Sequence, residues 1–353
     1  MPGNGRFLYS AFSRFDSKAC QKFFADAGLT MKVERGMRVF PASDKAEDVV
    51  NVLFDAVKKE GVGVIMGKRV SDLIICEDES GVKSITGVRL GDRQIMADAV
   101  IIATGGASYP LTGSDGSGYA LAREAGHSIV LPRGALVPLE TVENWPRELQ
   151  GLSLRNINLG LYKDGKLLSE EFGEMLFTHF GVSGPVVLTL SRLLLDGKGE
   201  YSLRLNLKPA LTVEQLDLRL QRDFHKAINK QYKNCLTDLL PRKLIPIIVR
   251  LSGIEEDKPV HSITRVERLH LCGLLTNLEM TVSQSRPIAE AIVTAGGVNL
   301  KEVDPKTMAS KVCRDLYFAG ELLDIDGYTG GFNLQAAFAT GYVAGKAAAG
   351  FSS

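Results

Sequence analysis

Two uninterrupted apolar runs, each ending in glycine, constrain the fold of this 353-residue chain more than any other feature. In residues 98–103 the run follows Asp98 and leads into Thr104-Gly105-Gly106, and in residues 315–319 it follows Asp315 and leads into Gly320-Glu321. A run that is apolar throughout, rather than alternating, is typical of a parallel strand buried on both faces. Glycines at the carboxyl ends of such strands let a ligand approach the backbone, which is where open α/β sheets bind their ligands. An α/β domain with a ligand site is therefore predicted, although residues 104–106 alone also fit an ordinary tight turn.

The segment from Gly320 to Gln335 concentrates features of a binding loop. After the strand ends at Gly320-Glu321, a helix opens at Gly330-Gly331. Free amides and the positive end of the dipole at a helix N-terminus suit an electron-rich oxygen. Glu321 provides an acceptor for a ligand hydroxyl. The alternative is a glycine-rich loop that only packs two elements closely.

The middle of the chain has a different pattern. Between residues 136 and 207, apolar and polar residues alternate, as in 203–207, which favours antiparallel strands. Residues 212–251 are charged and helical, with interruptions at Pro241 and Pro246. These changes predict an inserted α+β domain over 133–285, with its helical part at about 209–260. Residues 1–132 and 286–353 then form the two parts of the α/β domain.

Local patterns predict further elements in the first part of the α/β domain. Residues 17–27 form a helix, and a second helix, capped by Ser43, extends to Lys59. Short strands are predicted at 63–66 and 70–76, followed by a hairpin over 82–96 and a helix over 117–125. Residues 31–41 form a charged hairpin whose Arg38 and Pro41 could lie next to a ligand.

His179 is the one candidate for proton transfer. It lies between Phe177 and Phe180, beside the turn Ser183-Gly184-Pro185. Because histidine titrates near neutral pH, it could donate or accept a proton in a substrate pocket. A structural histidine held by local hydrogen bonds is the favoured alternative, so the catalytic acid or base stays unassigned.

Charge and cysteine usage exclude several classes of function. With 42 basic and 41 acidic residues the net charge is +1, so neither nucleic acid nor an anionic membrane surface is expected as a partner. The five cysteines have neither CxxC nor metal-ligand spacing, which favours reduced thiols and excludes a dithiol relay and a metal site. No apolar run reaches the roughly 18 residues of a membrane span, and no signal peptide is evident, so the cytoplasm is the expected compartment.

These segments together resemble the bacterial BaiN-like, or aminoacetone oxidase-like, family of NAD(P)/FAD-dependent oxidoreductases. The resemblance covers essentially the whole chain in the same order, and it is carried by residues 2–7, 36–45, 103–126, 176–185, 294–298 and 316–345. It implies a glutathione-reductase-type FAD-binding fold with an insert composed of a β-barrel-like part and a small helical part. This insert agrees with the change of pattern described above.

The resemblance also implies cofactor, chemistry and site. It implies FAD, with NAD(P)H as electron donor, and hydride transfer through the flavin to or from a small organic substrate. The electron-rich oxygen at the helix N-terminus would be O2 of the flavin, and Glu321 would accept from a ribityl or ribose hydroxyl. The implied FAD-binding residues are Thr104, Gly105, Gly106, Gly320, Glu321, Asp324, Gly330, Gly331, Phe332 and Asn333.

One departure from the family concerns its first segment. Family members begin with a strand and a GxGxxG loop that binds the pyrophosphate of FAD, and residues 1–60 contain no counterpart. The chain as written is therefore expected to hold FAD weakly. Two other functions stay open: a cofactor-free remnant that acts as a binding protein, and a flavin-dependent RNA-modifying enzyme. The near-zero net charge disfavours the second.

Overall fold

A computed structural model describes residues 4–34, 36–194 and 199–350 of the chain. Its α-helices are α1 (Tyr9–Arg14), α2 (Ser17–Asp26), α3 (Ala46–Lys59), α4 (Ser117–Glu124), α5 (Trp145–Glu148), α6 (Pro185–Ser191), α7 (Val213–Lys226), α8 (Ile245–Ser252), α9 (Arg265–Thr276) and α10 (Phe332–Ala348). Its strands are β1 (Met31–Glu34), β2 (Arg38–Pro41), β3 (Asp72–Glu77), β4 (Lys83–Leu90), β5 (Arg93–Met96), β6 (Val100–Ile102), β7 (Ile129–Ala135), β8 (Leu139–Thr141), β9 (Ser153–Lys163), β10 (Lys166–Phe177), β11 (Gly181–Ser183), β12 (Tyr201–Asn206), β13 (Leu278–Ser285), β14 (Val293–Val298), β15 (Cys313–Arg314) and β16 (Leu316–Phe318).

The chain divides into two compact units. Unit 1 comprises the described residues of Met1–Ala135 and Ala291–Ser353, and unit 2 is Leu136–Glu290. The sequence pattern placed the inserted domain at 133–285. The α/β class with an inserted domain is confirmed.

The two glycine-terminated runs form the parallel pair β6–β16 of unit 1. Leu316 lies opposite Val100, and Phe318 lies opposite Ile102. Ile102 and Phe318 are buried, but Ile101 is 38% exposed. The expectation that both faces of this strand are buried is therefore wrong for Ile101. In the described chain β6 and β16 form a sheet only two strands wide, and the face that carries Ile101 is incompletely covered.

The remaining elements of unit 1 surround this pair. Strands β3, β4 and β5 form an antiparallel meander, and β15 adds to β4 in parallel. Strand β14 pairs with β7 in antiparallel orientation. Helix α10 packs on α1 and α2, where the Phe15 and Tyr342 rings stack with centroids 4.8 Å apart. Residues 320–322, directly after β16, also contact α10, so this helix lies next to the loop after β16.

Two local predictions in unit 1 are corrected. Residues 63–66 form no strand, and Val64, Ile65 and Met66 are exposed. This short apolar run lies between Gly61 and Gly67, both with positive φ, and it finds no partner strand. Helix α3 begins at Ala46 with Lys45 as its N-cap, because the Ser43 hydroxyl donates to Asp48 at 2.5 Å instead of capping the helix.

Unit 2 contains a closed six-stranded barrel in the order β10-β11-β8-β13-β12-β9, which confirms the predicted barrel-like part. All described strand pairs in it are antiparallel, as the alternating pattern predicted. On β12, buried Tyr201, Leu203 and Leu205 alternate with partly exposed residues. Alternation of this kind fills the barrel interior with side chains.

Three longer helices, α7, α8 and α9, form the helical part of unit 2. Capping boxes start α7 at Thr212 and α9 at Thr264. The two helices are joined by an ion pair between Asp217 and Arg268 at 2.6 Å. No helix of the described chain is long and apolar enough to cross a membrane.

Candidate functional site

The site is built where β6 and β16 end side by side. The backbone leaves β16 at Gly320 with φ 75°, and it passes Gly105 after β6 with the same φ. Both values lie in the left-handed region that glycine adopts without strain. At Gly106 the constraint is space rather than φ, because a Cβ there would lie 2.7 Å from Glu321 Oε1 and would also contact Thr294. The two loops therefore approach each other at Gly106.

Thr294 on β14 holds the two loops together. Its buried hydroxyl oxygen accepts from the backbone amides of Ala107 at 2.8 Å and Ser108 at 3.1 Å. Its own amide donates to Glu321 Oε1 at 2.6 Å, and the Ser108 hydroxyl donates to the same oxygen at 3.1 Å. Sequence reasoning missed Thr294 and Ser108 as site residues. Thr294 was noticed only as part of a family segment, without a role.

Glu321 is consequently fixed through one oxygen only. Oε1 receives two hydrogen bonds, whereas Oε2 has no hydrogen-bond partner among the described residues. A carboxylate oxygen accepts up to two hydrogen bonds, so Oε2 is available to a ligand hydroxyl. On the other side, the Gly320 amide donates to the Thr340 hydroxyl of α10 at 3.0 Å.

The N-terminus of α10 is the second part of the site. Gly331 is the N-cap with φ 92°, no side chain caps the helix, and a Cβ on Gly331 would have no atom within 4 Å. No described side chain therefore accepts from the first-turn amides, and the helix dipole favours an electron-rich group there. Phe332 lies beside them and is 53% exposed.

The other predicted residues differ in what their side chains do. Asn333 Oδ1 accepts from the Gly327 amide at 2.7 Å, and Asn333 Nδ2 donates to the Gly327 carbonyl at 3.1 Å, so this side chain fixes the loop. Asp324 accepts from Asn4 Nδ2 at 3.0 Å. Burial raises the pKa of Asp324, while the bond from Asn4 opposes that shift.

Thr104 sits where α4 comes close to the loop after β6. Gly118 packs against its hydroxyl, so that any Cβ at position 118 would collide with Thr104. At the start of the same helix, Asp115 accepts from the Ser117 amide at 3.0 Å and pairs with Arg69. The bonds from Ser117 and then from Arg69 lower the pKa of Asp115 to about 2. This arrangement anchors the glycine-rich segment between β6 and α4.

Two further candidate residues, His179 and Arg38, belong to unit 2 and unit 1 respectively. His179 is exposed in unit 2, with its ring edge-on to Phe180 at 4.9 Å. Arg38 lies on the β1–β2 hairpin of unit 1 and stacks over Phe40 at 5.6 Å, while Pro41 ends β2 partly buried. The described hydrogen bonds of the Glu321 side chain are those from Ser108 and Thr294.

The residues present fit a flavin nucleotide. Glu321 Oε2 is an acceptor suited to a hydroxyl of the polyol chain, and the uncapped amides of α10 are donors suited to a ring carbonyl oxygen. Both follow β16, which pairs in parallel with β6, at the sheet edge where α/β proteins bind nucleotides.

Comparison with known proteins identifies the family of the chain. Residues 1–347 match the family described as HI0933-like protein Rossmann domain. The 3-dehydro-bile acid delta(4,6)-reductase of Clostridium scindens is 33% identical over 97% of this chain and 83% of its own length. The ribosomal RNA dihydrouridine synthase of Haemophilus influenzae is 29% identical over 96% of this chain and 81% of its own length. A 3-ketosteroid delta1-dehydrogenase from Sterolibacterium denitrificans, 12% identical, covers all of this chain and 72% of its own with a TM-score of only 0.39.

The resemblance to the BaiN-like family is confirmed by the family match over nearly the whole chain and by the similarity to the bile acid reductase. The chain therefore belongs to the HI0933-like Rossmann family and is a flavoprotein oxidoreductase of BaiN-like type.

Proposed function

We propose that this protein is an FAD-dependent reductase of a carbon–carbon double bond conjugated to a carbonyl. The observation that carries the proposal is the Glu321 carboxylate, held through Oε1 by Ser108 and Thr294 beside the uncapped N-terminus of α10. The bound flavin would supply the hydride transfer that protein side chains cannot provide.

The bond type follows from the chemistry that two relatives' names share. A delta(4,6)-reductase of a 3-dehydro bile acid and a dihydrouridine synthase both act on a double bond conjugated to a ring carbonyl. Although their substrates differ greatly in size, this bond type is common to both. The shared chemistry favours a conjugated double bond as the group that this protein reduces, with NAD(P)H as the proposed electron donor.

We assign FAD binding to the residues of the two loops and the start of α10. Gly320 and Glu321 would hold the polyol chain, and the amides after Gly331 would face the ring. The remaining proposed contacts are Thr104, Gly105, Gly106, Asp324, Gly330, Phe332 and Asn333. His179 remains a candidate proton donor on unit 2.

A spectroscopic experiment tests the proposal. The protein, supplied with excess FAD, should take up the flavin, should be bleached anaerobically by NADH or NADPH, and should be reoxidised by a cyclic enone. The saturated ketone of the same ring is the matched control and should leave the reduced spectrum unchanged. A colourless protein that takes up no added FAD would contradict the proposal and favour a cofactor-free binding protein.

A substitution locates the cofactor on the proposed residues. Glu321→Gln removes the charge while keeping the shape, so FAD affinity should fall by about tenfold or more. Glu60→Gln, at an exposed carboxyl at the end of α3, should leave the affinity unchanged. Equal FAD dissociation constants for the two variants would rule out Glu321 as a ligand.

RNA is a second candidate substrate, because the helical part of unit 2 is locally basic. Residues 213–276 contain eleven lysines and arginines against eight acidic residues, although the whole chain is nearly neutral. Five exposed cations in this segment form no ion pair within the described chain: Arg222, Lys226, Lys230, Arg242 and Arg265. Exposed cations without an acidic partner can bind phosphates, and such binding weakens steeply with salt.

The two substrate classes can be separated with the same reduced protein. Reoxidation by a uridine-containing ribosomal RNA fragment, with dihydrouracil detected in the product, would favour RNA. Reoxidation by steroid enones, with no RNA binding at physiological salt, would favour the small-molecule substrate.

A further inference from the structure

Tyr119 is a buried donor that no part of the described chain uses. It lies in the first turn of α4, and its side chain is only 4% exposed. Its hydroxyl has no hydrogen-bond partner among the described residues. Buried hydroxyls in folded proteins nearly always have a partner, so an unpartnered one calls for an explanation.

The surroundings of Tyr119 connect it to the candidate site. Its ring packs against Gly116, where a Cβ would lie 3.5 Å from Cδ2. Burial and, next, the nearby carboxylates of Glu321 and Asp324 raise the pKa of the Tyr119 hydroxyl, which therefore stays protonated as a donor. It donates to neither carboxylate. The Gly116 amide donates to the Gly106 carbonyl at 3.0 Å, and Gly106 in turn packs against Glu321. The backbone thus brings the segment that carries the unused donor next to Glu321, whose Oε2 is an unused acceptor.

We propose that Tyr119 and Glu321 together bind one hydroxyl group of the cofactor's polyol. A hydroxyl both accepts and donates a hydrogen bond, so it can accept from the Tyr119 hydroxyl while it donates to Glu321 Oε2. This pair selects an alcohol over an ether or a carbonyl, neither of which can donate. The proposal rests on the proposed binding of FAD, which offers hydroxyls on its ribityl chain and on its adenosine ribose.

The substitution Tyr119→Phe tests this assignment with two readouts. The dissociation constant for FAD, measured by quenching of flavin fluorescence, should rise by about tenfold or more. The thermal midpoint of the flavin-free protein should stay equal or increase, because the substitution removes a hydroxyl that the protein does not satisfy. A purely structural tyrosine would show a lower midpoint instead.

Tyr232→Phe is the matched control. Tyr232 is fully buried in unit 2, and its hydroxyl donates to Ser252 Oγ at 3.1 Å. Its loss should lower the midpoint of the flavin-free protein without changing the dissociation constant for FAD. The two tyrosines are therefore expected to respond in opposite ways.

Riboflavin distinguishes the two sources of the hydroxyl, because it carries the ribityl chain and lacks the adenosine ribose. If Tyr119→Phe weakens binding of riboflavin as much as that of FAD, the bound hydroxyl is on the ribityl chain. If it weakens only FAD, the hydroxyl is on the ribose. Unchanged FAD affinity in Tyr119→Phe, or a midpoint as low as in Tyr232→Phe, would overturn the assignment. Failure of the unsubstituted protein to bind FAD would instead reject the proposed function itself.

Discussion

Replacing Thr294 with valine should show how strongly the loop after β6 depends on one hydroxyl. Thr294 is fully buried, and its oxygen is the acceptor for the amides of Ala107 and Ser108. Valine has nearly the same shape, so packing changes little. Both amides lose their acceptor, and Ser108, which is 2% exposed, cannot turn to water.

The magnitude follows from the number of amides affected. Leaving a buried donor unsatisfied costs about 1–3 kcal/mol. Because Ser108 is buried and Ala107 is only partly buried, we expect a loss of about 2–4 kcal/mol in the free energy of unfolding. For domains of this size, each kcal/mol lowers Tm by about 2–4 °C, so the midpoint should fall by about 5–15 °C.

Thermal unfolding followed by far-UV circular dichroism measures this loss, with Thr141→Val as the control. Thr141 is also fully buried, but its hydroxyl makes a single described hydrogen bond, which it donates to the Glu143 carbonyl at 3.2 Å. Its replacement should cost about 1 kcal/mol, because no amide depends on it. If Thr294→Val lowers the midpoint no more than Thr141→Val does, the loop after β6 does not depend on the Thr294 hydroxyl.

Two further predictions concern a glycine and a histidine. Gly331→Ala and Gly28→Ala should each lower the free energy of unfolding by about 1–2 kcal/mol, because both glycines have φ near 90° and open space around a Cβ. Only Gly331→Ala should also lower the affinity for FAD. Equal FAD binding by the two variants would show that Gly331 is not part of the site. His127 is fully buried between Glu302 and Ser310, and burial lowers its pKa below the ordinary 6.5 although Glu302 opposes the shift. Because the pKa of His127 is lower in the folded protein than in the unfolded chain, its neutral form stabilises the fold fully above pH 6.5. This stabilisation is lost as the pH falls through the pKa of the folded state. Tm should therefore fall as the pH is lowered below 6.5, and it should fall more steeply than in His127→Gln. His225→Gln, a substitution at an exposed position, should keep the slope of the unsubstituted protein.

Local patterns explain which parts of the fold were predictable. The strands β6 and β16 and the helix α10 are each indicated within a few residues, by an apolar run, a terminal glycine or a high alanine content. The alternation on β12 likewise indicates an antiparallel sheet. Closure of the barrel was harder to predict from the sequence, because β8 and β11 are each three residues long and too short to show an alternating pattern.

Long-range contacts explain what the sequence concealed. Ser108 and Glu321 meet across 213 positions, and Thr294 joins them from a third segment. No local period links these residues, so their cooperation could be seen only in the structure. The unpartnered state of Tyr119 is equally invisible in sequence, since it depends on what its neighbours fail to supply.

The loop between β16 and α10 is fixed to the same helix at both ends, which bears on how the site would bind a ligand. At its start the Gly320 amide bonds to Thr340 inside α10, and near its end the Asn333 side chain bonds to the backbone of Gly327. The Glu321 acceptor and the free amides after Gly331 are thereby held by one rigid element. Groups fixed before a ligand arrives lose little conformational freedom on binding, so more of the interaction energy remains as affinity. The Asn333 side chain thus serves the site by holding this loop, while its backbone amide in the first turn of α10 remains the proposed contact with the flavin.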